Sequence, residues 1–205
     1  MKKYFLENTR GFTLLEALVA MGAMLIVLFG AASLLSETFK YNGIVWDQLE
    51  AQNDGRRVLQ NVVDLVRRAE ESNIGGFPIE SATTSSLVFF TNTDKDADRE
   101  RVRFFLSGKT LSRGIIQPSG NPPRYSGAED VLEMAHNLAN NTSNVNLFEY
   151  YDTAYAGTST PMVSPIDPVQ VRMVKISVEL EKDPTRSPVP FHAESMVQIR
   201  NLKDN

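Results

Sequence analysis

Asp94, Asp96, Asp98 and Glu100 stand at alternate positions in the run Asp94-Lys95-Asp96-Ala97-Asp98-Arg99-Glu100. Carboxylates so spaced in a turn can gather oxygen ligands around Ca²⁺, and the three aspartates match the opening positions of a calcium loop. The match then fails. Arg99 stands where a glycine makes the sharp turn, and Phe105 stands where a bidentate glutamate closes the shell. The run is therefore no EF-hand. It is a candidate oxygen site with Asp94, Asp96 and Asp98 as ligands for Ca²⁺, set against a solvated hairpin loop partly neutralised by Lys95 and Arg99. No other cofactor is expected.

The remaining chemistry thins out quickly. There is no cysteine, which excludes structural disulfides, thiol nucleophiles and thiolate metal sites. His136 and His192 lie in unrelated segments and read as surface or packing residues. No hydrolase elbow, phosphate loop or zinc signature occurs. Titratable groups do not converge as a catalytic set requires, so no enzyme is expected. Tyr150, Tyr151 and Tyr155 form an aromatic group suited to core packing or to a binding surface. Asn140-Asn141-Thr142 fits a glycan acceptor pattern.

Glu16 is the charge that needs explaining. It is the one charged residue between Phe12 and Leu35, a 24-residue apolar run preceded by Lys2, Lys3 and Arg10. A helix of that length crosses the ~30 Å hydrocarbon core of a bilayer. Basic residues before it hold the N-terminus in the cytoplasm and make the chain a single-pass membrane protein. The run is too long for a secretory signal peptide. A plain signal anchor explains length and orientation but gains nothing from a buried carboxylate, which costs ~2.5–3.5 kcal/mol.

Gly11-Phe12-Thr13-Leu14-Leu15-Glu16 resembles the cleavage and methylation motif of type IV prepilins and type II secretion pseudopilins. The resemblance covers about the first 25 residues. It implies that a membrane prepilin peptidase and methyltransferase cuts between Gly11 and Phe12 and methylates the new amine of Phe12. It also implies that Thr13 and Glu16 serve assembly, Glu16 being the acidic fifth residue of the mature chain. Physical chemistry supports that role. In a staggered fibre the amine of one subunit can meet the carboxylate of another, offsetting the burial of both and fixing axial register. Some pseudopilin heads are similar in holding Ca²⁺ on a loop.

These groups need elements to position them. Val58, Leu59, Val62, Val63 and Val66 recur at spacings of three and four, a one-sided apolar stripe. No proline interrupts Phe12–Ser72, so a single helix is expected from Phe12 to about Glu71, ending near Asn73. At ~1.5 Å per residue it would be about 90 Å long. Gly43 and Gly55 are places where it could bend. Beyond it the period changes to two. Strands are expected at Leu87–Thr91, Arg101–Leu106, Thr110–Arg113, Val145–Tyr151, Val171–Glu181 and Phe191–Leu202, with a short helix at Glu129–Ala139. The fold class is α+β, a long N-terminal helix on an antiparallel sheet head. The expected organisation is a leader over 1–11, a transmembrane or fibre-core helix over 12–35, an amphipathic stem over 36–73 and a β-rich head over 74–205.

The resemblance thus implies a structural fibre subunit, with prepilin peptidase, other pilin or pseudopilin subunits, an inner-membrane assembly platform and membrane lipid as partners. Leu49–Arg68, with Arg56-Arg57-Val58 near its middle, is similar to minor subunits of the J or W kind. The absence of cysteine, and of proline in the membrane helix, departs from many major pilins. A competence-type subunit that captures DNA is the alternative, through Arg99, Arg101, Arg103 and Arg113, with an anchored extracytoplasmic domain behind it. Loss of Lys2, Lys3, Arg10 and Glu7 would leave 18 basic and 24 acidic residues, a side-chain charge of −6. A nucleic-acid partner is not expected from that balance.

Overall fold

The computed structural model describes residues 11–94, 96–185 and 190–202. The leader residues 1–10, with Lys2, Lys3, Glu7 and Arg10, and Lys95 of the acidic loop, lie outside the described residues. The chain forms two compact units, Met1–Val45 and Trp46–Asn205. Helix α1 covers Leu14–Arg67.

In the first unit the part of α1 between Glu16 and Glu37 carries no charge and is apolar on every side. Leu18, Met21, Leu25, Val27 and Phe29 are each more than half exposed. In the second unit the helix is one-sided. Ala51, Gly55, Val58, Leu59, Val62, Leu65 and Val66 are buried, and Val63 is partly buried against the same core. That is the expected valine stripe, extended backward by two small residues. Gly55 leaves the helix unbroken. It lets the helix approach the sheet, since a Cβ there would lie 3.0 Å from Leu180 Cδ1 and 3.1 Å from Phe191 Cε1.

The helix ends at Arg67, short of Asn73, because its next residues find partners in one strand and in the 3-10 helix Arg200–Leu202. The Glu70 amide donates to the Phe90 carbonyl at 2.9 Å. Thr91 Oγ1 donates to the Arg68 carbonyl, and Asn201 Nδ2 to that of Ala69. Tertiary bonds thus take carbonyls that would otherwise be orphaned at the helix end.

Among the described residues eight strands follow: β1 (Ile79–Ala82), β2 (Ser86–Thr91), β3 (Glu100–Ser107), β4 (Thr110–Ile116), β5 (Asp130–Ala135), β6 (Phe148–Tyr151), β7 (Met173–Leu180) and β8 (Phe191–Gln198). The first five form one antiparallel meander in sequence order, and the last three form a second antiparallel sheet. The α+β class holds, with two sheets in the head. One core joins them to the helix stripe. Phe89 and Phe104 lie fully buried with ring centroids 6.1 Å apart. Tyr150 ties the sheets together: its ring is buried, and its hydroxyl donates to the Thr83 carbonyl between β1 and β2 at 2.8 Å. Burial pushes that phenol's pKa up, so it stays a donor.

Several segments differ from their sequence expectation. The expected strand Val145–Tyr151 begins only at Phe148, and Phe191–Leu202 stops as strand at Gln198, with Arg200–Leu202 a 3-10 helix. Ile79–Ala82 forms an edge strand that its mixed pattern does not announce. Asp130–Ala135, expected as helix within Glu129–Ala139, is strand β5. Its Val, Leu, Glu, Met and Ala residues tolerate either state. Pairing of Val131 with Gly114 and Leu132 with Arg113 decides for the sheet.

The edge of β7 is completed in an unexpected way. β6 covers only Met173–Ile176. Beyond it the chain at 137–140 takes over, with the Ala139 amide donating to the Glu179 carbonyl and the Glu181 amide to that of Asn137. Asn140 begins a four-residue helix, α2 (Asn140–Ser143), and is 1% exposed. Its side chain mimics a peptide unit: Nδ2 donates to the Ser177 carbonyl at 2.8 Å, and Oδ1 accepts from the Glu179 amide at 3.0 Å. A side chain so enclosed offers no glycan acceptor.

Candidate functional site

Gly11, Phe12 and Thr13 are exposed and precede α1. Phe12 is 79% exposed. Thr13 and Glu16 form a reciprocal pair at the helix start. The Glu16 amide donates to Thr13 Oγ1 at 3.2 Å, while Glu16 Oε2 accepts from the Thr13 amide and hydroxyl at 3.1 Å each. This is a capping box, which satisfies otherwise unpaired amides. The carboxylate also sits at the positive end of the helix dipole. The sequence motif therefore has a local structural meaning: Thr13 and Glu16 start the helix together.

The apolar residues that follow have no cover within the chain. Of the described helices, α1 is the one long and apolar enough to cross a membrane, and none of its most apolar stretch is buried. An exposed apolar surface of this extent needs lipid or another subunit around it. The helix fits a single-pass membrane anchor.

The acidic run connects β2 to β3. Asp94, Asp96 and Glu100 bring carboxylate oxygens within 4.8 Å of one another. The two aspartates are exposed and Glu100 is fully buried. Asp98 points elsewhere: its Oδ1 accepts from Asn73 Nδ2 at 2.6 Å. Asn73 Oδ1 accepts from the Arg99 amide at 3.0 Å, and the Tyr125 hydroxyl donates to the Arg99 carbonyl at 2.8 Å. Asn73 and Tyr125 thus clamp the far side of the loop. Burial holds the Tyr125 phenol above its ordinary pKa.

Glu100 was absent from the candidate ligands read from sequence, although a signal for it exists. Val102 and Phe104 face the core, so period two puts Glu100 on the same face of β3.

Of the four arginines that could have served nucleic acid, three meet carboxylates, and Arg113 has a buried Nε without a hydrogen-bond partner. Arg99 lies 3.4 Å from Glu70, Arg101 contacts Glu80, and Arg103 Nε donates to Glu129 at 2.8 Å. The last pair crosses β4 where Gly114 faces Arg103, and a Cβ at Gly114 would collide with the Glu129 carboxylate. Arg103 also lies 3.9 Å over the Phe105 ring. Its hydrogen bond holds Glu129 below the ordinary carboxylate range, outweighing desolvation. A depressed folded pKa stabilises above the unfolded value of ~4.3 and is lost as pH falls through the folded one. Glu129→Gln is therefore expected to cost about 1 kcal/mol at pH 7. That cost should shrink below pH ~4, which paired urea titrations at the two pH values would measure.

His136 and His192 remain outside any site. His136 is largely exposed beside Glu133 at 3.6 Å, and His192 Nδ1 sits 2.7 Å from Glu179. The Tyr151 and Tyr155 rings pack tilted at 56° with centroids 4.6 Å apart, while Tyr150 belongs to the core.

A long N-terminal helix followed by antiparallel sheets is the α+β layout of pilin-like proteins. Within it, residues 7–32 match the prokaryotic N-terminal methylation motif. Prepilins and pseudopilins carry that motif, so over residues 7–32 the chain is similar to them. No curated protein matches the chain.

Proposed function

We propose that the chain is a minor structural subunit of a type IV pilus or type II secretion pseudopilus. Prepilin peptidase cuts it between Gly11 and Phe12 and methylates Phe12. The helix from Phe12 to Leu35 then passes from the inner membrane into the fibre core, with the head outside the cytoplasm. Glu16 meets the amine of a neighbouring subunit there, and Thr13 holds Glu16 at the helix start.

One observation carries this reading: the methylation motif over 7–32 coincides with an apolar, uncovered stretch of helix, up to Leu35, whose one charge is Glu16. Neither a secretory signal nor a simple anchor uses that charge. The minor role rests on the head's size, on the absence of cysteine and on the Leu49–Arg68 stretch. The carboxylates facing Arg99, Arg101 and Arg103 weigh against the DNA-capturing alternative.

Intact mass and N-terminal sequencing of the membrane-purified chain, with and without a co-expressed prepilin peptidase, test the proposal. The expected product lacks residues 1–11 and begins with methylated Phe12. An uncut chain beside an active peptidase, or a cut beyond Ala31, overturns it.

A further inference from the structure

We infer that the free edge of β5 receives a β-strand from the head of another fibre subunit. That strand reads basic, apolar, apolar, basic against Asp130, Val131, Leu132 and Glu133. That the partner is a fibre subunit rests on the proposed function, whereas the chemistry of the strand rests on the edge itself. β5 is the last strand of the five-stranded sheet, and no described strand pairs with its outer side. Alternate residues of an edge strand turn their N–H and C=O groups outward. Among the described residues no backbone group beyond β4 hydrogen-bonds to 130–135.

The other sheet edges are closed or blunted. On the outer side of β6 the Phe148 amide donates to the Thr84 carbonyl at 3.0 Å, and the Met162 amide donates to the Tyr150 carbonyl at 2.9 Å. The open half of β7 is sealed by 137–140. β1 and β8 leave no large apolar side chain exposed. β5 differs. Asp130, Val131, Leu132 and Glu133 are all exposed, Val131 at 48% and Leu132 at 52%. Native sheets seldom leave an apolar edge of this kind uncovered, because it is a template for another strand.

The two exposed side chains decide what covers the edge. Successive residues of a strand point to opposite faces, so Val131 lies on one face of the sheet and Leu132 on the other. A helix or a second sheet laid on one face would cover one of them. A strand added to the edge covers both and takes up the outward backbone groups as well. Charge then selects the strand. Asp130 has no ion pair among the described residues, and Glu133 lies 3.6 Å from the exposed His136. The nearest arginine pair on that side, Arg103 with Glu129, is already complete. Lys or Arg opposite Asp130 and Glu133 adds two cross-strand pairs. The same rule disfavours a second copy of β5. The antiparallel register that sets Val131 of each copy against Leu132 of the other also sets Asp130 against Glu133 twice. Like charges directly opposite destabilise a ladder. A contact that propagates along a fibre is moreover heterologous, joining unlike surfaces.

Two experiments test this. In the first, the full chain in non-ionic detergent is titrated into a fluorescently labelled extended peptide centred on lysine, isoleucine, valine and arginine, and polarisation is read. This needs neither cleavage nor assembly, so its failure is separate from a failure of the fibre reading. Binding is expected, weakened by more than about tenfold when the peptide's backbone amides are N-methylated. Glutamates in place of its two basic residues, or Glu133→Lys in the chain, should each weaken it roughly three- to tenfold. Leu132→Lys should weaken it as well, and both substituted side chains are exposed, so the head keeps its fold. A peptide that does not bind, binds equally when N-methylated, or ignores Glu133→Lys overturns the inference. In the second, Val131→Cys, in a chain with no other cysteine, carries a photoactivated crosslinker in sheared fibres. Mass spectrometry is expected to find it joined to an extended basic segment of a different subunit. A link to β5 of a second copy, or to no fibre subunit, overturns the inference.

Discussion

Glu16→Gln is expected to leave cleavage and helix start intact while abolishing incorporation of the subunit into fibres. The variant separates two roles of one carboxylate. Glu16 caps its own helix, accepting from the amide and hydroxyl of Thr13. A glutamine carbonyl oxygen can accept the same bonds, as capping boxes with glutamine show. Only the charge is lost. If the fibre requires Glu16 to neutralise the amine of a neighbouring Phe12, the unpaired amine keeps most of its burial cost of ~2.5–3.5 kcal/mol. That corresponds to roughly two orders of magnitude in incorporation per subunit. Glu16→Ala should fail equally, despite losing the cap as well. Immunoblots of sheared fibres against membrane fractions would measure both variants, with mass spectrometry confirming cleavage. Wild-type incorporation of Glu16→Gln beside failure of Glu16→Ala would show that helix capping suffices and would remove charge pairing from the mechanism.

The second large effect is expected in the head, at a residue with no role in chemistry. Asn140→Asp should destabilise the folded head by about 3–5 kcal/mol at pH 7, the range for an uncompensated buried charge. The Asn140 amide both donates to the Ser177 carbonyl and accepts from the Glu179 amide, with further donation to Val145 at 3.2 Å. An ionised aspartate keeps the accepted bond and sets a negative oxygen against two carbonyls. The cost should fall at low pH, where a protonated carboxyl regains one donor. Urea unfolding of the wild type and variant at pH 7 and pH 4 would show both effects. A difference below about 1 kcal/mol at pH 7 would mean that 137–140 does not seal the edge of β7.

Much of the molecule is legible in the order of its residues because the relevant physics is local. A 24-residue run with one charge can scarcely be anything but a helix that seeks lipid or its own kind. Thr13 and Glu16 lie three apart, so their capping contact is written in the chain. Val58, Leu59, Val62 and Val66 keep helical spacing, and their burial follows. The alternation from Val102 to Phe104 and from Val174 to Val178 specifies strands and their inner faces.

Where partners are remote in sequence, local pattern falls silent. Asp130–Ala135 could have been helix, and only the exposed ladder along β4 makes it strand. The helix was expected to reach Asn73, but partners at Phe90 and Thr91 in β2 and at Asn201 beyond β8 end it at Arg67. Asn140 resembled a surface acceptor until the unfilled edge of β7 claimed its amide. The acidic loop shows the division most clearly. Its composition alone identified a cluster of carboxylates. Which of them converge depended on Asn73, Thr93 and the inward face of β3, which draw Asp98 away and bring Glu100 in. The sequence by itself determined the membrane-seeking helix, its cap and the β-rich head, because these depend on spacing within a few residues. Tertiary structure decided where the helix stops, which side chains seal the sheet edges and which oxygens meet, because each depends on backbone groups brought together from distant parts of the chain.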